Sequence, residues 1–259
     1  MNTRSTVQAI VARDLSRAVR QKSRVLGGLA RPFMWLLLVG SGYNGIAHVE
    51  GASSYQAFVF PGVVVMAALF GAMLTAIATV YDREFGMLRL MLASPAGVPA
   101  VLLGRAIAAT AVGLFQGGVI LVFVPLVVPV TGLQFALAFA ALALGSATSS
   151  VLGLLVAAPL RSVENFAAIV NVVLFPLLFL SGALYPTTRM TPVLRFVARL
   201  NPVSYAVDLT RQSLGQPAEL GATFSVIALV ATTLLAFVLT TILFDPEQRL
   251  ILRNRPGKA

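Results

Sequence analysis

The residue types that do chemistry are scarce in this chain, and their placement excludes most of the chemistry they could do. His48 is the only histidine and cysteine is absent, so no disulfide and no cage of imidazoles and thiolates can form. The missing cysteine leaves the redox compartment open. Gly40-Ser41-Gly42 and Gly145-Ser146 place serines inside apolar stretches, the setting of an intramembrane serine protease. Such a serine needs a neighbouring base to take its proton, and His48 falls in a loop at the membrane surface. No G-x-x-x-x-G-K-[ST] phosphate loop occurs, and the terminal Gly257-Lys258-Ala259 lacks the rest of that motif. All nine carboxylates lie in loops, tails or the ends of apolar stretches, whereas an ion-coupled carrier places acidic groups in mid-span. Backbone-based ion sites stay open. No catalytic residue, metal site or cofactor is expected on this chain.

The elements that would position these residues are six apolar stretches, 32–47, 57–80, 98–125, 133–157, 166–181 and 220–244. A helix needs about 20 mostly apolar residues to cross the ~30 Å hydrocarbon core, where only a helix satisfies its own backbone. Hydrophobic residues make up 58% of the chain and charged residues 11%, against about 25% charged in a soluble domain. Mean hydropathy is +0.90. The fold expected is all-α, a polytopic membrane protein of six transmembrane helices forming one domain over 1–259. An interfacial helix (1–31) precedes five spans (32–181), an external helical segment (182–219), the last span (220–244) and a polar basic tail (245–259). No cleavable signal peptide is expected, because the first 24 residues are polar and basic.

The net charge of +10 raises the question of nucleic acid, but its distribution answers for a membrane. With an N-terminus inside, six spans return the C-terminus to the same side. Of the 19 basic residues only Arg189, Arg195, Arg199 and Arg211 then fall outside, all in one segment. That asymmetry predicts both termini in the cytoplasm, with anionic lipid rather than nucleic acid as the partner of the cations. The plasma membrane of a bacterium is the location expected.

Residues 5–24 carry Val7, Ile10, Val11, Leu15, Ala18 and Val19 on one helical face and Arg13, Arg17, Arg20 and Arg24 on the other. Such a helix lies in the membrane interface, as a basic anchor or as a gating lever. Arg31-Pro32 is read as opening the first span. In the loop 81–97, Phe85, Leu88, Met91 and Leu92 share a helical stripe that either packs on this chain's own helices or lipid head groups or is presented to a soluble partner. Gly113 and Gly117, and Gly145, Ser149 and Gly153, recur at four-residue steps that let helices approach closely. Asn171 is expected to bond between helices, with a ligand contact as the alternative. The outer segment reads as two short amphipathic runs, 192–200 and 203–214, folded against the outer membrane face. Its arginines are expected to meet solvent or lipid, with phosphate or glycan head groups as the alternative.

Two segments, in order and at matching positions, resemble type 2 ATP-binding-cassette transporter permeases. DREFGMLRLMLASPAGVPAVLLGR, residues 82–105, is similar to that family's cytoplasmic loop, with Arg89 departing from its usual acidic or polar residue. FLSGALYPTTRMTPVLRFVARLNPVSYAVDLTR, residues 179–211, looks like its outer segment, and Phe60-Pro61-Gly62 also matches. The resemblance implies a homodimer, or a pair of similar permeases, docked on two cytoplasmic ATPase subunits that hydrolyse the ATP. It implies an ATPase-coupling role for Asp82, Arg83, Glu84, Phe85, Gly86, Leu88, Leu90 and Pro95, with the N-terminal helix touching the ATPase too. It implies an external gate built from Ser181, Gly182, Pro186, Asn201, Pro202, Tyr205 and Arg211. The cargo implied is hydrophobic or amphipathic (a drug, lipid or lipid-linked glycan) and leaves the cell, since the Glu-Ala-Ala loop of importers is missing. An ion-coupled carrier or channel that needs no ATPase, and a small intramembrane enzyme, are the alternatives from other classes.

Overall fold

The computed structural model describes residues 3–43, 53–92 and 97–253; His48 and Pro95 lie outside these. The secondary structure of the described residues is helical, with no strand among them. The helices are α1 (Thr3–Arg20), α2 (Lys22–Met34), α3 (Tyr55–Glu84), α4 (Met87–Leu92), α5 (Gly97–Leu121), α6 (Gly132–Ala157), α7 (Val163–Phe179), α8 (Pro192–Leu200), α9 (Pro202–Ser213) and α10 (Ala222–Arg253). Side-chain oxygens start several of them by accepting from otherwise orphaned backbone donors. Ser54 caps α3, Ser162 caps α7, and Thr131 with Gln134 forms a capping box on α6.

Among the described residues, four helical stretches are long and apolar enough to cross a membrane: Tyr55–Glu84, Gly97–Leu126, Gly132–Ala157 and Ala222–Phe244. Two shorter apolar stretches, Leu26–Gly40 and Val163–Phe179, fall where the first and fifth spans were expected. α3 is the centre of the bundle. Of its most apolar stretch 83% is buried against the rest of the chain, compared with 17% for α10. Phe60, Leu69 and Met73 of α3 are fully buried, with Leu142 and Leu154 of α6 and Ile120 of α5 beside them. A second, smaller core joins Ile10, Leu88, Val98, Val101, Leu102, Ala158 and Phe244, where α1, α4, α5 and α10 meet.

The small-residue steps do what their spacing predicts. A Cβ on Gly113 would stand 2.7 Å from the Ala68 carbonyl oxygen, and one on Gly117 would stand 3.0 Å from that of Val64. Both glycines let α5 lie directly on the α3 backbone. Gly153 of α6 meets α3 at Met73, and Gly145 meets Ala206 of α9.

Three expectations are corrected. Pro32 does not open a helix; it sits inside α2, which begins ten residues earlier at Lys22. Its missing N–H breaks the bonding ladder, and the chain rewinds as a π-helix over Trp35–Gly40. Asn171 is exposed and donates to the Ala167 carbonyl of its own helix at 2.9 Å, so it makes no interhelical bond among the described residues. The outer runs part ways: α8 exposes Val193, Phe196 and Leu200, while α9 is buried from Val203 to Arg211 between α6, α10 and α3.

Replacing Gly113 by Ala forces a Cβ into α3 backbone, an overpacking cost of about 1–3 kcal/mol. Gly118, whose Cβ would meet only the Phe139 ring at 3.7 Å, is the control. Thermal unfolding in detergent should show a lowered midpoint for Gly113→Ala and an unchanged or raised one for Gly118→Ala.

Candidate functional site

α3 ends in three consecutive charged residues, and each fastens a different part of the bundle. Asp82 is buried, at 4% exposure. Its Oδ2 accepts from Arg105 Nη2 of α5 at 2.5 Å and from Arg13 Nη2 of α1 at 2.8 Å, and its Oδ1 from Arg17 Nη1 at 3.3 Å. Arg105 is itself 3% exposed. Its Nη1 donates to Thr79 Oγ1 at 3.0 Å and its Nη2 reaches Met91 Sδ of α4 at 3.4 Å, a sulfur that Arg13 Nη1 shares. Arg13 also pairs with Asp14, and Arg17 lies over the Tyr81 ring. One carboxylate thus ties α1, α3 and α5 together, and the shared sulfur adds α4.

Arg83 points the other way. Its Nη1 donates to the carbonyls of Ala157, Ala158 and Leu160, at 3.0, 2.9 and 2.5 Å. These are oxygens at the C-terminus of α6, which lack intrahelical donors and carry the negative end of the helix dipole. The guanidinium also lies 4.6 Å from the Phe244 ring of α10. Glu84 accepts from the backbone N–H of Val163, the first residue of α7, at 2.9 Å, where an anion suits the positive end of that helix.

Past Glu84 the chain turns at Gly86, whose φ of +77° strains any residue with a Cβ. This turn splits the predicted stripe. Leu88 faces inward at 1% exposure and Met91 joins the buried charges, whereas Phe85, Met87 and Leu90 stand out at 62%, 47% and 69%. The Phe85 ring rests on Tyr81, with centroids 4.4 Å apart. Sequence reasoning missed Arg13, Arg17 and Arg105 as partners of Asp82, and Thr79 and Met91 as partners of Arg105. The available signal was Arg105 itself, a cation inside an apolar run, which requires a counter-charge nearby.

The other end of α3 carries a second clamp, roughly 36 Å away at 1.5 Å per residue. Arg211, expected in solvent or lipid, is instead 3% exposed. Its Nη2 donates to Gly182 O at 2.9 Å and Phe58 O at 3.3 Å, and its guanidinium lies 4.2 Å from the Phe58 ring. Burial pushes its pKa down to about 10, with Asp208 and Glu219 acting in the opposite direction, so it remains charged at neutral pH. Asp208 accepts from the N–H groups of Glu219 and Leu220; burial raises its pKa against these bonds. Pro61 denies α3 a donor for the Ala57 carbonyl, and Gln216 Nε2 supplies it at 3.0 Å.

The remaining predicted gate residues surround this clamp. Ser181 Oγ donates to Leu178 O at 2.6 Å. Gly182 adopts φ +75° and turns the chain so that Ala183 abuts Gly62, where a Cβ would stand 2.7 Å from the Ala183 Cα. Asn201 caps α9 by accepting from Val203 N and also donates to Leu177 O, and Pro202 is the first residue of that helix. Tyr205 donates its hydroxyl proton to Arg199 O. Pro186 precedes the short 3-10 turn Thr187–Arg189 and lies outside this bonded set. Arg195 donates to the carbonyls of Thr187, Thr188 and Met190. No cluster of three or more His, Cys, Asp or Glu residues able to hold a metal occurs among the described residues.

Removing Asp82 strands Arg105, and breaking a buried pair from one side costs about 3–5 kcal/mol. Asp82→Ala should therefore lower the thermal midpoint steeply, and Asp82→Leu combined with Arg105→Met should recover most of the loss in a double-mutant cycle. At the other end, Gln216→Leu leaves the Ala57 carbonyl unpaired, a loss of about 1–3 kcal/mol. Adding Pro61→Ala restores an N–H for that carbonyl, so the double variant should melt above Gln216→Leu alone.

A family model described as ABC-2 type transporter matches residues 5–214, ending just before α10. The putative transport permease ycf38 of Pyropia yezoensis is 29% identical over 214 residues, 79% of this chain and 72% of that protein. Nodulation protein J of Rhizobium leguminosarum bv. trifolii is 32% identical over 197 residues, 74% of this chain and 75% of that one. The probable multidrug ABC transporter permease YbhR of Escherichia coli K12 is 26% identical over 207 residues, 78% of this chain and 54% of its own. A match running from α1 through both clamps places this chain among the ABC-2 type transporters, as a membrane transport permease subunit.

Proposed function

We propose that the chain is the six-span permease of an ATP-driven exporter that moves a hydrophobic or amphipathic cargo outward. Two copies pair as a homodimer in a bacterial plasma membrane, with N- and C-termini in the cytoplasm, and two copies of a separate ATPase chain dock beneath them. The observation that carries this reading is the arrangement at the Asp82 end of α3. An apolar surface of Phe85, Met87 and Leu90 stands exposed beside three charged residues that grip α1, α5, the α6–α7 junction and α10. An apolar surface placed at the end of a spanning helix, beside charged residues that grip the bundle, suits a groove on a soluble partner.

In this mechanism ATP closes the ATPase dimer and displaces α4. Because Asp82, Arg83 and Glu84 bind the adjoining helices, the displacement passes to the bundle and along α3 to the Arg211 clamp. Ser181, Gly182, Pro186, Asn201, Pro202 and Tyr205 then act as the outer gate. A ligand shifts a two-state equilibrium only by its differential affinity for the two states, so ATP supplies the bias and the permease the two arrangements. The relative named as a probable multidrug ABC transporter permease, of which this chain matches 54%, supports a drug among the candidate cargoes.

Among the coupling residues the reading separates two duties. Asp82, Arg83 and Glu84 fasten the end of α3 to the bundle, Gly86 and Leu88 seat α4 on it, and Phe85 and Leu90 meet the ATPase. Leu90→Asp changes only exposed surface and should melt like wild type, while Phe85→Asp also gives up the ring contact with Tyr81 and should melt slightly lower. Each should lower co-purification of the ATPase more than about tenfold, the effect of losing a central apolar anchor. Undiminished co-purification with both variants would remove α4 from the interface.

A further inference from the structure

Between α1, α3 and α5 lies a cavity of about 30 Å3, room for one or two water-sized groups. Asp14, Arg17 and Gln21 of the α1 side, Gly71 and Thr75 of α3 and Gln116 of α5 line it. Gln116 is 2% exposed and its Oε1 has no hydrogen-bond partner among the described residues. Gln21 Oε1 is equally buried and unpartnered. The Gln116 amide lies flush between two helices that have each dropped a side chain to admit it. A Cβ on Gly28 would stand 2.8 Å from it, and one on Gly71 would stand 2.7 Å.

The depth of the site follows from the helix rise. Gln116 stands 11 residues beyond Arg105, and Gly71 stands 11 residues before Asp82. Both therefore sit roughly 16 Å into the bundle from the charged end, about half the hydrocarbon thickness. A bare carboxamide at that depth is costly unless something donates to it.

We propose that this cavity binds the hydrogen-bond-donating tip of an amphipathic molecule, a primary ammonium or a hydroxyl. The unpaired atoms facing it are acceptors, so an oxyanion is repelled. The nearest cation, Arg17, is already engaged by Asp82 and Tyr81. The Asp14 carboxylate, whose Oδ1 is held by Arg13, adds negative charge to the wall and favours a donor. A quaternary ammonium is excluded twice, by its size and by its lack of N–H. The volume admits the tip alone, so the apolar remainder stays outside the cavity. This assignment gives the transport reading a cargo head group and rests on that reading for its purpose, but its test needs neither ATP nor ATPase.

The full chain, purified in phosphatidylcholine nanodiscs, is titrated with octylamine, 1-octanol and octyltrimethylammonium, and bound probe is counted by native mass spectrometry. Octylamine or 1-octanol should be retained about tenfold over the quaternary analogue, the effect of one hydrogen bond to a buried acceptor. Gln116→Leu should abolish the preference while its thermal midpoint stays level or rises, since the substitution removes an unpaired polar group. Should Gln116→Leu fail to fold, Gln21→Leu at the α1–α2 corner gives the same readout. A parallel arm in phosphatidylethanolamine nanodiscs separates the sources. Competition with octylamine there marks a membrane lipid as the occupant, and its absence marks a free amphipath. Equal retention of all three probes by wild type, or a preference that survives both variants, overturns the proposal, whatever becomes of ATP-driven export.

Discussion

A carboxylate and a guanidinium buried together at the end of a membrane helix are tolerated only if partners gather around them. Asp82 and the two terminal nitrogens of Arg105 recruit theirs largely from other elements, and Arg105 Nε alone of the pair's polar atoms is left without one among the described residues. Arg13 and Arg17 must come from α1, Thr79 from one turn back on α3, and the sulfur of Met91 from α4. The desolvation penalty of the pair is several kcal/mol per ion when unmatched. This makes the docking of α1 and α4 a requirement of electrostatics as much as of apolar contact. The small core of Ile10, Leu88, Val98 and Phe244 then fills the space the charges define.

α3 carries this constraint through the bundle. Its most apolar stretch is buried on nearly all sides, while α10 presents a largely uncovered surface. The two helices therefore have different work. α3 is held at one end by Asp82, Arg83 and Glu84, and at the other by the bonds of Arg211 and Gln216 to its first-turn carbonyls. Pro61 is part of that outer arrangement, since the carbonyl it frees is the one Gln216 occupies. Between the clamps the glycines of α5 and α6 bring backbone against backbone, leaving few soft side chains to absorb a displacement.

Much of this was legible beforehand, and the parts that were not share a physical cause. Hydropathy marks the helices because the bilayer leaves no alternative for the backbone. The Gly113, Gly117, Gly145 and Gly153 steps correctly mark close approach. The charge-rich start of the 82–105 segment and the Gly-turn after 181 were singled out, and both lie at clamps. What periodicity cannot show is which neighbour a polar group meets. Arg211 was read as a surface cation and Arg105 was only counted to the cytoplasmic side, because a count of charges by side of the membrane carries no depth. The stripe from Phe85 to Leu92 assumed one unbroken helix, and Gly86 breaks it, sending Leu88 inward and Leu90 outward. Pro32 looked like a helix start because a proline is tolerated there, but the apolar and basic residues before it were already helical.

The central claim is that one charged cluster makes the α4 end and the outer end of the permease move as a unit. The chain has no cysteine, so spin labels at Leu90→Cys and Val193→Cys, both exposed, report without background. In the transporter reconstituted with its ATPase, pulsed electron-electron distance measurements should show both label sites shifting when ATP binds. In the Asp82→Asn background the account predicts a shift confined to the α4 label. An outer-end shift that persists undiminished in Asp82→Asn, or one absent from the wild type, would contradict it.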